Sequence, residues 1–281
     1  MKRFSIIRNY ILPFLGRGMG VGSLLVALLA SCSHIGEDER LIYVKPAEVA
    51  RNVLIEDFTG QRCVNCPTAT QAIAELQEAY GDADVVAVAI HSGPFSKTVR
   101  GVPYPLATEV GEEYYQFWKL DHQPAGMINR RGVSDYTDWG TLVYEERQKT
   151  AAVGISTWVE FNADNRRADI TVRTNGADGT VEGKLQVWLT EDNITAFQYM
   201  PDGSTNQTYL HNHVFRDAVN GAWGTDFSIA EGETKDETFT YTIPGDKDWK
   251  PGQMHVVAFV YTDKGVEQVC TVPLVSAPDE E

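Results

Sequence analysis

The sequence predicts two segments of different fold class, an α/β segment over about residues 51–150 and an all-β segment over about residues 151–276. Strand-like and helix-like patterns alternate along the first segment, as a β-α-β unit requires. From about Ala151 the pattern changes to the alternation of apolar and polar residues that is typical of strands with one buried face. The 281 residues suffice for one large or two ordinary domains.

Residues 1–31 have the pattern of a signal peptide that ends before Cys32. Four basic residues accompany an apolar stretch that is shorter than the ~20 residues a membrane-spanning helix needs. Leu29-Ala-Ser-Cys32 resembles a bacterial lipobox, which implies cleavage before Cys32 and acylation of its thiol. An ordinary signal with a chance cysteine, or an uncleaved anchor, is the alternative.

We expect the mature chain to be anchored in the bacterial outer membrane through Cys32, with residues 32–50 as its tether. Ser33 stands where an Asp would resemble the signal for retention in the inner membrane. Glu37-Asp-Glu39 resembles the acidic tether that carries lipoproteins to the cell surface in the Bacteroidetes, and it is equally typical of a solvated linker. The cell surface and the periplasmic face therefore both stay open.

The charge excludes nucleic acid as a partner. The full chain carries −15, and removal of residues 1–31 takes away four of its 24 basic residues and none of its 39 acidic ones, which leaves −19. Such a surface repels phosphate backbones and anionic lipids. Residues 277–281 form a short acidic tail.

The α/β segment has six predicted elements. A strand is expected over 52–58, a helix over 67–80 that ends at Gly81, and a strand over 85–90 that is apolar throughout and hence buried on both faces. A helix over 108–119, a short strand over 126–129 and a helix over 139–149 capped by Thr137 complete the segment.

The all-β segment has about seven predicted strands, with Asn175-Gly176 and residues 263–265 as hairpin turns. Strands at this turn spacing predict an immunoglobulin-like β-sandwich. The predicted strands centre on 155–161, 170–172, 185–189, 209–215, 239–243, 255–261 and 266–272.

Cys63-Val-Asn-Cys66 lies between the first predicted strand and the first predicted helix. Backbone N–H groups at a helix N-terminus favour a thiolate at Cys63, and Cys66 is close enough to close a disulfide with it. The pair is therefore a candidate for thiol–disulfide exchange with Cys63 as nucleophile. An inert structural disulfide is the alternative, and a zinc site lacks a second cysteine pair.

Around this motif, residues 52 to about 150 resemble a thioredoxin fold. The resemblance implies that Asp57, six positions before Cys63, handles the proton of the second cysteine, and that Pro124 is a cis-proline facing the disulfide. Arg62 departs from the aromatic residue that is usual before the first cysteine, and Val64-Asn65 replaces Gly-Pro. These departures bear on substrate range and redox potential.

Five further side chains are candidates for special roles. Cys270 is left over from the cysteine pairing and is expected to be a buried, inert thiol in the last strand. His211 and His213 stand two apart in a strand pattern, so both are expected on one face, as a packed pair and not as metal ligands. His91 is a candidate for a position near Cys63, as is His122.

The mature chain resembles the 28-kDa outer-membrane lipoprotein family of the Bacteroidetes. The residues that carry the resemblance are Leu29-Ala-Ser-Cys32, residues 56–67 and Leu210-His-Asn-His-Val-Phe-Arg216 with Trp223-Gly224. The resemblance implies a thioredoxin-like domain followed by a β-sandwich, and it supplies no substrate.

The location and the β-rich second segment favour a non-enzymatic binding or adhesin-type lipoprotein whose ligand is a protein or a glycan. The rival hypothesis is an envelope thiol–disulfide oxidoreductase that uses Cys63 and Cys66. We expect no cofactor and no bound metal.

Overall fold

A computed structural model describes residues 45–96 and 106–276, which belong to one compact unit. Cys32, the signal peptide, most of the tether and the acidic tail lie outside the described residues. The described part contains sixteen strands: β1 (Val49–Ala50), β2 (Val53–Thr59), β3 (Val85–His91), β4 (Ala125–Ile128), β5 (Val133–Ser134), β6 (Thr150–Ala151), β7 (Val153–Asn162), β8 (Arg167–Gly176), β9 (Val181–Glu191), β10 (Ile194–Tyr199), β11 (Thr205–His211), β12 (Val214–Ala218), β13 (Thr225–Ile229), β14 (Thr234–Thr242), β15 (Met254–Thr262) and β16 (Gly265–Pro273).

Three α-helices accompany these strands: α1 (Cys66–Tyr80), α2 (Glu109–Phe117) and α3 (Trp139–Arg147). Helix α1 ends at Gly81, as predicted, because glycine takes the positive φ of 94° without a steric penalty. The side chain of Thr108 caps α2 by accepting a hydrogen bond from the Gly111 N–H at 2.9 Å. The predicted cap of α3 is wrong, because Asp138 occupies the N-cap position and makes no side-chain cap bond.

A nine-stranded sheet runs through both predicted segments. Its order is β16-β15-β9-β12-β3-β2-β4-β5, and β13 pairs with β9 beside this path. Strands β2 and β3 are parallel, with Val53 opposite Val85. Strand β12 joins β3, also in parallel, where Val214 lies opposite Ala89. The junction of β3 and β12 therefore connects the first half of the chain to the second within one sheet.

The central strands are buried on both faces, as their apolar runs predicted. Helices α1 and α3 cover one face, where Ile73 and Trp139 pack against Ile55 and Val85. Helix α2 lies on the opposite face, where Tyr114 enters a core that also contains Trp188 of β9.

A second, three-stranded sheet of order β14-β8-β7 packs on β9, β13 and β15. Its strands alternate between buried and exposed residues, so apolar side chains such as Ile170 and Val172 face the shared core. Strands β10 and β11 pair only with each other and form a separate two-stranded hairpin. Within residues 45–96 and 106–276, no helix has the length and apolar character needed to cross a bilayer.

The predicted fold class, a thioredoxin-like α/β domain followed by an immunoglobulin-like sandwich, is wrong. Strands make up 47% of the described residues and helices 17%, and no clear thioredoxin-like domain stands apart from the rest. The local β-α-β pattern was predicted correctly for α1 and its flanking strands. Which strands share a sheet depends on contacts between distant residues, and the pairing of β3 with β12 leaves no signal in a local pattern.

Two local predictions in the all-β segment are also wrong. The expected strand over 209–215 is divided into β11 and β12, because His213 takes a positive φ of 57° that interrupts the extended backbone. Asn175-Gly176 is the end of β8 and not a hairpin turn.

Candidate functional site: the covered disulfide and the outer sheet face

Cys63 and Cys66 form a disulfide at the start of α1, with their Cα atoms 5.4 Å apart. The loop from Gly60 to Asn65 leads from the end of β2 into this helix. Both cysteines are only 2% exposed, whereas Val64 between them is 44% exposed. The disulfide therefore lies under the protein surface although its loop reaches solvent.

The hairpin β10–β11 closes the access to this disulfide. The Gln198 amide donates hydrogen bonds to the carbonyl of Cys63 at 2.9 Å and to that of Gly60 at 3.4 Å. The Tyr199 N–H donates to the Gln61 carbonyl at 2.9 Å, and the Gln61 amide donates to the Phe197 carbonyl at 3.1 Å. These bonds hold the hairpin against the loop that carries the disulfide, and both cysteines are buried in this arrangement. No local signal relates Gln198 to a loop 135 residues away, so this contact cannot be predicted from the sequence.

Asp57 lies in β2 and is 1% exposed, and neither of its carboxylate oxygens has a hydrogen-bond partner. Burial raises the pKa of this carboxyl to about 7. The carboxyl lines a cavity of about 150 Å³ between α1 and β3, to which Thr70 also contributes. Thr70 also lines the small cavity beside Cys66, so the two cavities share a lining residue.

His91 and His211 meet in that small cavity beside Cys66, with their ring centroids 5.3 Å apart. The Nδ1 atom of His91 and the Nε2 atom of His211 are buried without a hydrogen-bond partner. Burial lowers the pKa of His211 to about 4 and that of His91 well below its usual value, so both rings are neutral near pH 7. The cavity, of about 20 Å³, has room for about one water molecule.

His211 and His213 do not share a face, which corrects the prediction. The positive φ of His213 turns its side chain toward Asp192 and His255, while His211 faces His91. His122 pairs with two exposed carboxylates on the surface, Asp121 at 2.7 Å and Asp135 at 2.9 Å. Of the two histidines proposed to lie near the disulfide, the structure thus brings only His91 to its cavity.

The remaining predicted site residues lie as follows. The Gln123–Pro124 peptide bond is cis, and the Gln123 amide donates to the Thr59 carbonyl at 2.9 Å. Cys270 is a free thiol 3.2 Å from the Thr157 hydroxyl, and burial raises its pKa to about 11. This thiol is therefore protonated at neutral pH and unreactive.

The three-stranded sheet presents a polar face to solvent, which we call the outer face. Trp158 on this face is 42% exposed and lies in register with Thr171 and Thr238. Arg173 and Asp236, in the next row, form a bidentate ion pair at 2.7 and 2.6 Å. Its other residues are Ser156, Glu160, Asn162, Arg167, Asp169, Asn175, Thr234, Thr240 and Thr242.

The fold and the site define a β-rich protein with a shielded disulfide and an open sheet face. A family model for outer membrane protein Omp28 matches residues 111–276, and this range is more than half of the chain. The chain therefore belongs to the Omp28 family, which confirms the family resemblance and the outer-membrane location predicted from the sequence.

Two solved structures are similar to this chain. HBP35 of Porphyromonas gingivalis is 14% identical and has a TM-score of 0.64 over 84% of this chain and 82% of its own. A domain of the outer membrane lipoprotein Omp28 from the same organism is 26% identical over 44% of this chain and 88% of its own, with a TM-score of 0.33. A search of curated proteins finds no match.

Proposed function

We propose that this protein is a non-enzymatic binding protein of the outer membrane, which uses the outer face of its three-stranded sheet to hold a glycan. It is attached to the membrane through acylated Cys32, and Cys63–Cys66 is a structural disulfide. The lipid is tested by mass spectrometry of the N-terminal peptide from the native protein. A diacylglycerol on Cys32 is expected, and an unmodified N-terminus would contradict the anchor.

The outer face with its exposed Trp158 is the observation that supports glycan binding. Sugar rings present C–H groups that pack on the negative face of an aromatic ring, and hydroxyl groups that need hydrogen-bond partners. The threonine, asparagine and charged side chains around Trp158 supply such partners in rows that follow the strand spacing. The Asp236 carboxylate orients the Arg173 guanidinium, whose centre lies 5.2 Å from the Trp158 ring.

The test is a glycan array probed with the full chain in detergent, beside a Trp158→Ala variant. We expect wild type to retain particular glycans and the variant to lose them. Tyr144→Ala is the matched control, because Tyr144 is a more exposed aromatic residue on α3, away from the outer face. Equal retention by Trp158→Ala and wild type, or binding to proteins alone, would contradict the proposal.

The second candidate is a thiol–disulfide oxidoreductase in which Cys63 attacks and Cys66 resolves the mixed disulfide. The carboxyl of Asp57 favours it, because a group with a pKa of about 7 can take and return a proton at neutral pH. The burial of both cysteines beneath the hairpin argues against it.

Reduction of insulin by dithiothreitol separates the two candidates. We expect wild type and Cys63→Ser to leave the rate equally unchanged. A rate that depends on Cys63, together with mixed disulfides trapped by Cys66→Ser, would establish the oxidoreductase and remove the structural role of the disulfide.

A further inference from the structure

The cavity between α1 and β3 shares no residue with the outer face and has room for a small organic molecule. Asp57 lines it together with Ile73 and Ala74 of α1 and with Ala87 and Ala89 of β3. Its volume is about 150 Å³. An engineered cavity of about 150 Å³ in another protein binds benzene, so a cavity of this volume holds about six non-hydrogen atoms. The cavity therefore combines one buried carboxyl group with a stretch of apolar wall.

The Asp57 carboxyl is a buried acceptor without a hydrogen-bond partner. The residue is 1% exposed, and neither of its oxygens is bonded to another group of the described residues. Two carboxylate oxygens offer about four lone-pair sites to donors, and buried polar side chains in proteins nearly always have at least one partner. Among the described residues that line the cavity, none is a lysine or an arginine. These residues thus supply neither a donor nor a cation to this carboxylate, and a cationic ligand would supply both.

We propose that this cavity binds a small aliphatic primary amine as its ammonium ion. The ammonium group lies on the Asp57 carboxylate, and a chain of about four or five carbon atoms packs against Ile73 and Ala89. An ammonium group has only donors, and its charge-assisted hydrogen bonds to a carboxylate are roughly twice as strong as neutral ones. Burial of the carbon chain removes apolar surface of both the ligand and the cavity from water.

Two further polar side chains of the cavity offer acceptors to the same ammonium group. The Thr70 hydroxyl donates to the Cys66 carbonyl at 3.3 Å, and the Gln77 amide nitrogen donates to the Val85 carbonyl at 3.1 Å. These bonds occupy the hydroxyl hydrogen of Thr70 and one amide hydrogen of Gln77, and they leave the oxygen atoms of both side chains able to accept. Such acceptors favour a cationic ligand over an anionic one.

The charge around the cavity is negative. An adjoining cavity, which shares His213 with it, is lined by Asp82 and Asp192 and, among the described residues, by no lysine or arginine. Burial holds the pKa of His213 below its usual value, so this ring is neutral near pH 7. The carboxylates of Asp57, Asp82 and Asp192 therefore raise the local concentration of cations at the cavity.

The cavity is accessible and preformed. Ala74 and Asn212, which line it, are exposed, so the cavity opens to solvent. The His213 carbonyl accepts a hydrogen bond from the Ala89 N–H at 2.8 Å, which holds the segment before β12 against β3. A ligand of the stated size therefore enters without a rearrangement of the backbone, and little binding free energy is lost to ordering.

The test is a ligand-observed NMR titration of the full chain in a non-ionic detergent at pH 8, with n-butylammonium chloride as the probe. n-Butanol is the matched ligand, because it has the same carbon chain and no charge, and wild type should bind it more weakly. Asp57→Asn should weaken n-butylammonium binding by about 10-fold or more and leave n-butanol binding nearly unchanged, because the amide keeps the shape and removes the charge. Asp164→Asn, which changes an exposed carboxylate, should bind both probes as wild type does.

The pH dependence of binding gives an independent readout. Because burial raises the pKa of Asp57 to about 7, wild type should bind n-butylammonium about 10-fold more weakly at pH 6 than at pH 8. Of the described residues, His213 and Tyr209 are the other titratable groups that line this cavity or interact with its carboxyl. Burial raises the pKa of Tyr209, so its phenol is neutral at both pH values. Asp57→Asn should therefore lose most of the pH dependence.

A second variant, Ala74→Leu, tests the cavity without a change in charge. Leucine is a good helix former and Ala74 is exposed, so the variant should fold, and its larger side chain should reduce binding of both probes. Absence of saturable binding by wild type at pH 8, equal affinity for both probes, or equal affinity of wild type and Asp57→Asn for n-butylammonium would overturn the proposal. None of these results bears on glycan binding by the outer face.

Discussion

Single polar side chains buried without full compensation are the main feature of this protein at the residue scale. Asp57 is buried with no hydrogen-bond partner, whereas Glu56, its neighbour on the other face of β2, is paired with Arg130. The Arg130 guanidinium meets Glu56 through three hydrogen bonds of 3.1–3.2 Å, and aromatic rings such as Tyr261, 4.4 Å from its centre, surround it. The two carboxylates should therefore respond to substitution in opposite ways.

Asp57→Asn should stabilise the protein above pH 7 and change little near pH 4. Burial raises the folded pKa of Asp57 from 3.8 to about 7, so wild type loses stability as pH rises from about 4 to about 7 and stays at the lower value beyond. A rise of this pKa from 3.8 to about 7 corresponds to a cost on the order of 4 kcal/mol, which the amide avoids. Urea unfolding at pH 4.5 and pH 8 measures the difference, with the exposed Asp164→Asn as control. Equal effects of Asp57→Asn at both pH values would contradict the assignment.

Glu56→Gln should destabilise the fold by about 3–5 kcal/mol, because it leaves the Arg130 charge buried and uncompensated. The double variant Glu56→Gln/Arg130→Met removes both charges and should recover part of this loss. Asp236→Asn breaks the exposed pair with Arg173 and should leave the midpoint nearly unchanged, because solvent screens this pair, which makes it the matched control. The measurement is the denaturant midpoint of wild type, the two single variants and the double variant. A midpoint of Glu56→Gln as high as that of Asp236→Asn would contradict a strong buried pair.

At the scale of elements, predictions from short-range patterns were reliable, and predictions of the contacts between elements were not. Helix α1 and strand β3 were predicted to within one or two residues, because their apolar spacing and the Gly81 stop are local signals. The Cys63–Cys66 pair was found from its motif for the same reason. The hairpin β10–β11 over the disulfide was not foreseen, since the Gln198 amide bonds to a loop far away in sequence. His211-Asn-His213 alternates like a strand, and only the φ of His213 shows the break.

Gln198→Ala should accelerate reduction of the Cys63–Cys66 disulfide by a small phosphine. The substitution removes the donor to the carbonyls of Cys63 and Gly60 and leaves buried acceptors unpaired, at a cost of about 1–3 kcal/mol to hairpin closure. If opening limits the reaction, this cost corresponds to a rate increase of about 5- to 150-fold, measured by trapping free thiols over time. Thr208→Ala on the exposed side of the same hairpin should react at the wild-type rate. Identical rates for Gln198→Ala and wild type would show that the hairpin does not control access.

At the scale of the whole molecule, the continuous nine-stranded sheet decides how the chain folds. Strands β2 to β5 come from residues 51–150, and their only route to the rest of the sheet is the contact of β3 with β12. The domain boundary predicted near residue 150 rests on the change in the pattern of apolar and polar residues, and it stays a prediction. The sheet nevertheless gives both halves a common core, because Leu54 and Val88 pack with Trp188 and Phe259. The local sequence pattern could not reveal this core, because the core forms between residues about 100 to 200 positions apart.

We therefore expect the full chain to unfold in one cooperative transition, despite the change in sequence pattern near residue 150. Val214 lies in β12, between β3 and β9, and its side chain is fully buried. Val214→Ala shortens this side chain and should lower stability by about 1–3 kcal/mol, with unfolding still in a single transition. Circular dichroism reports on the strands and helices as a whole, and tryptophan fluorescence reports on the surroundings of the indole rings, among them Trp188 in the central sheet and Trp158 in the three-stranded sheet. Coincident curves from both probes indicate a single folding unit. Two separated transitions would instead show that residues 51–150 and 151–276 fold independently, with β3–β12 pairing as a late contact between finished domains.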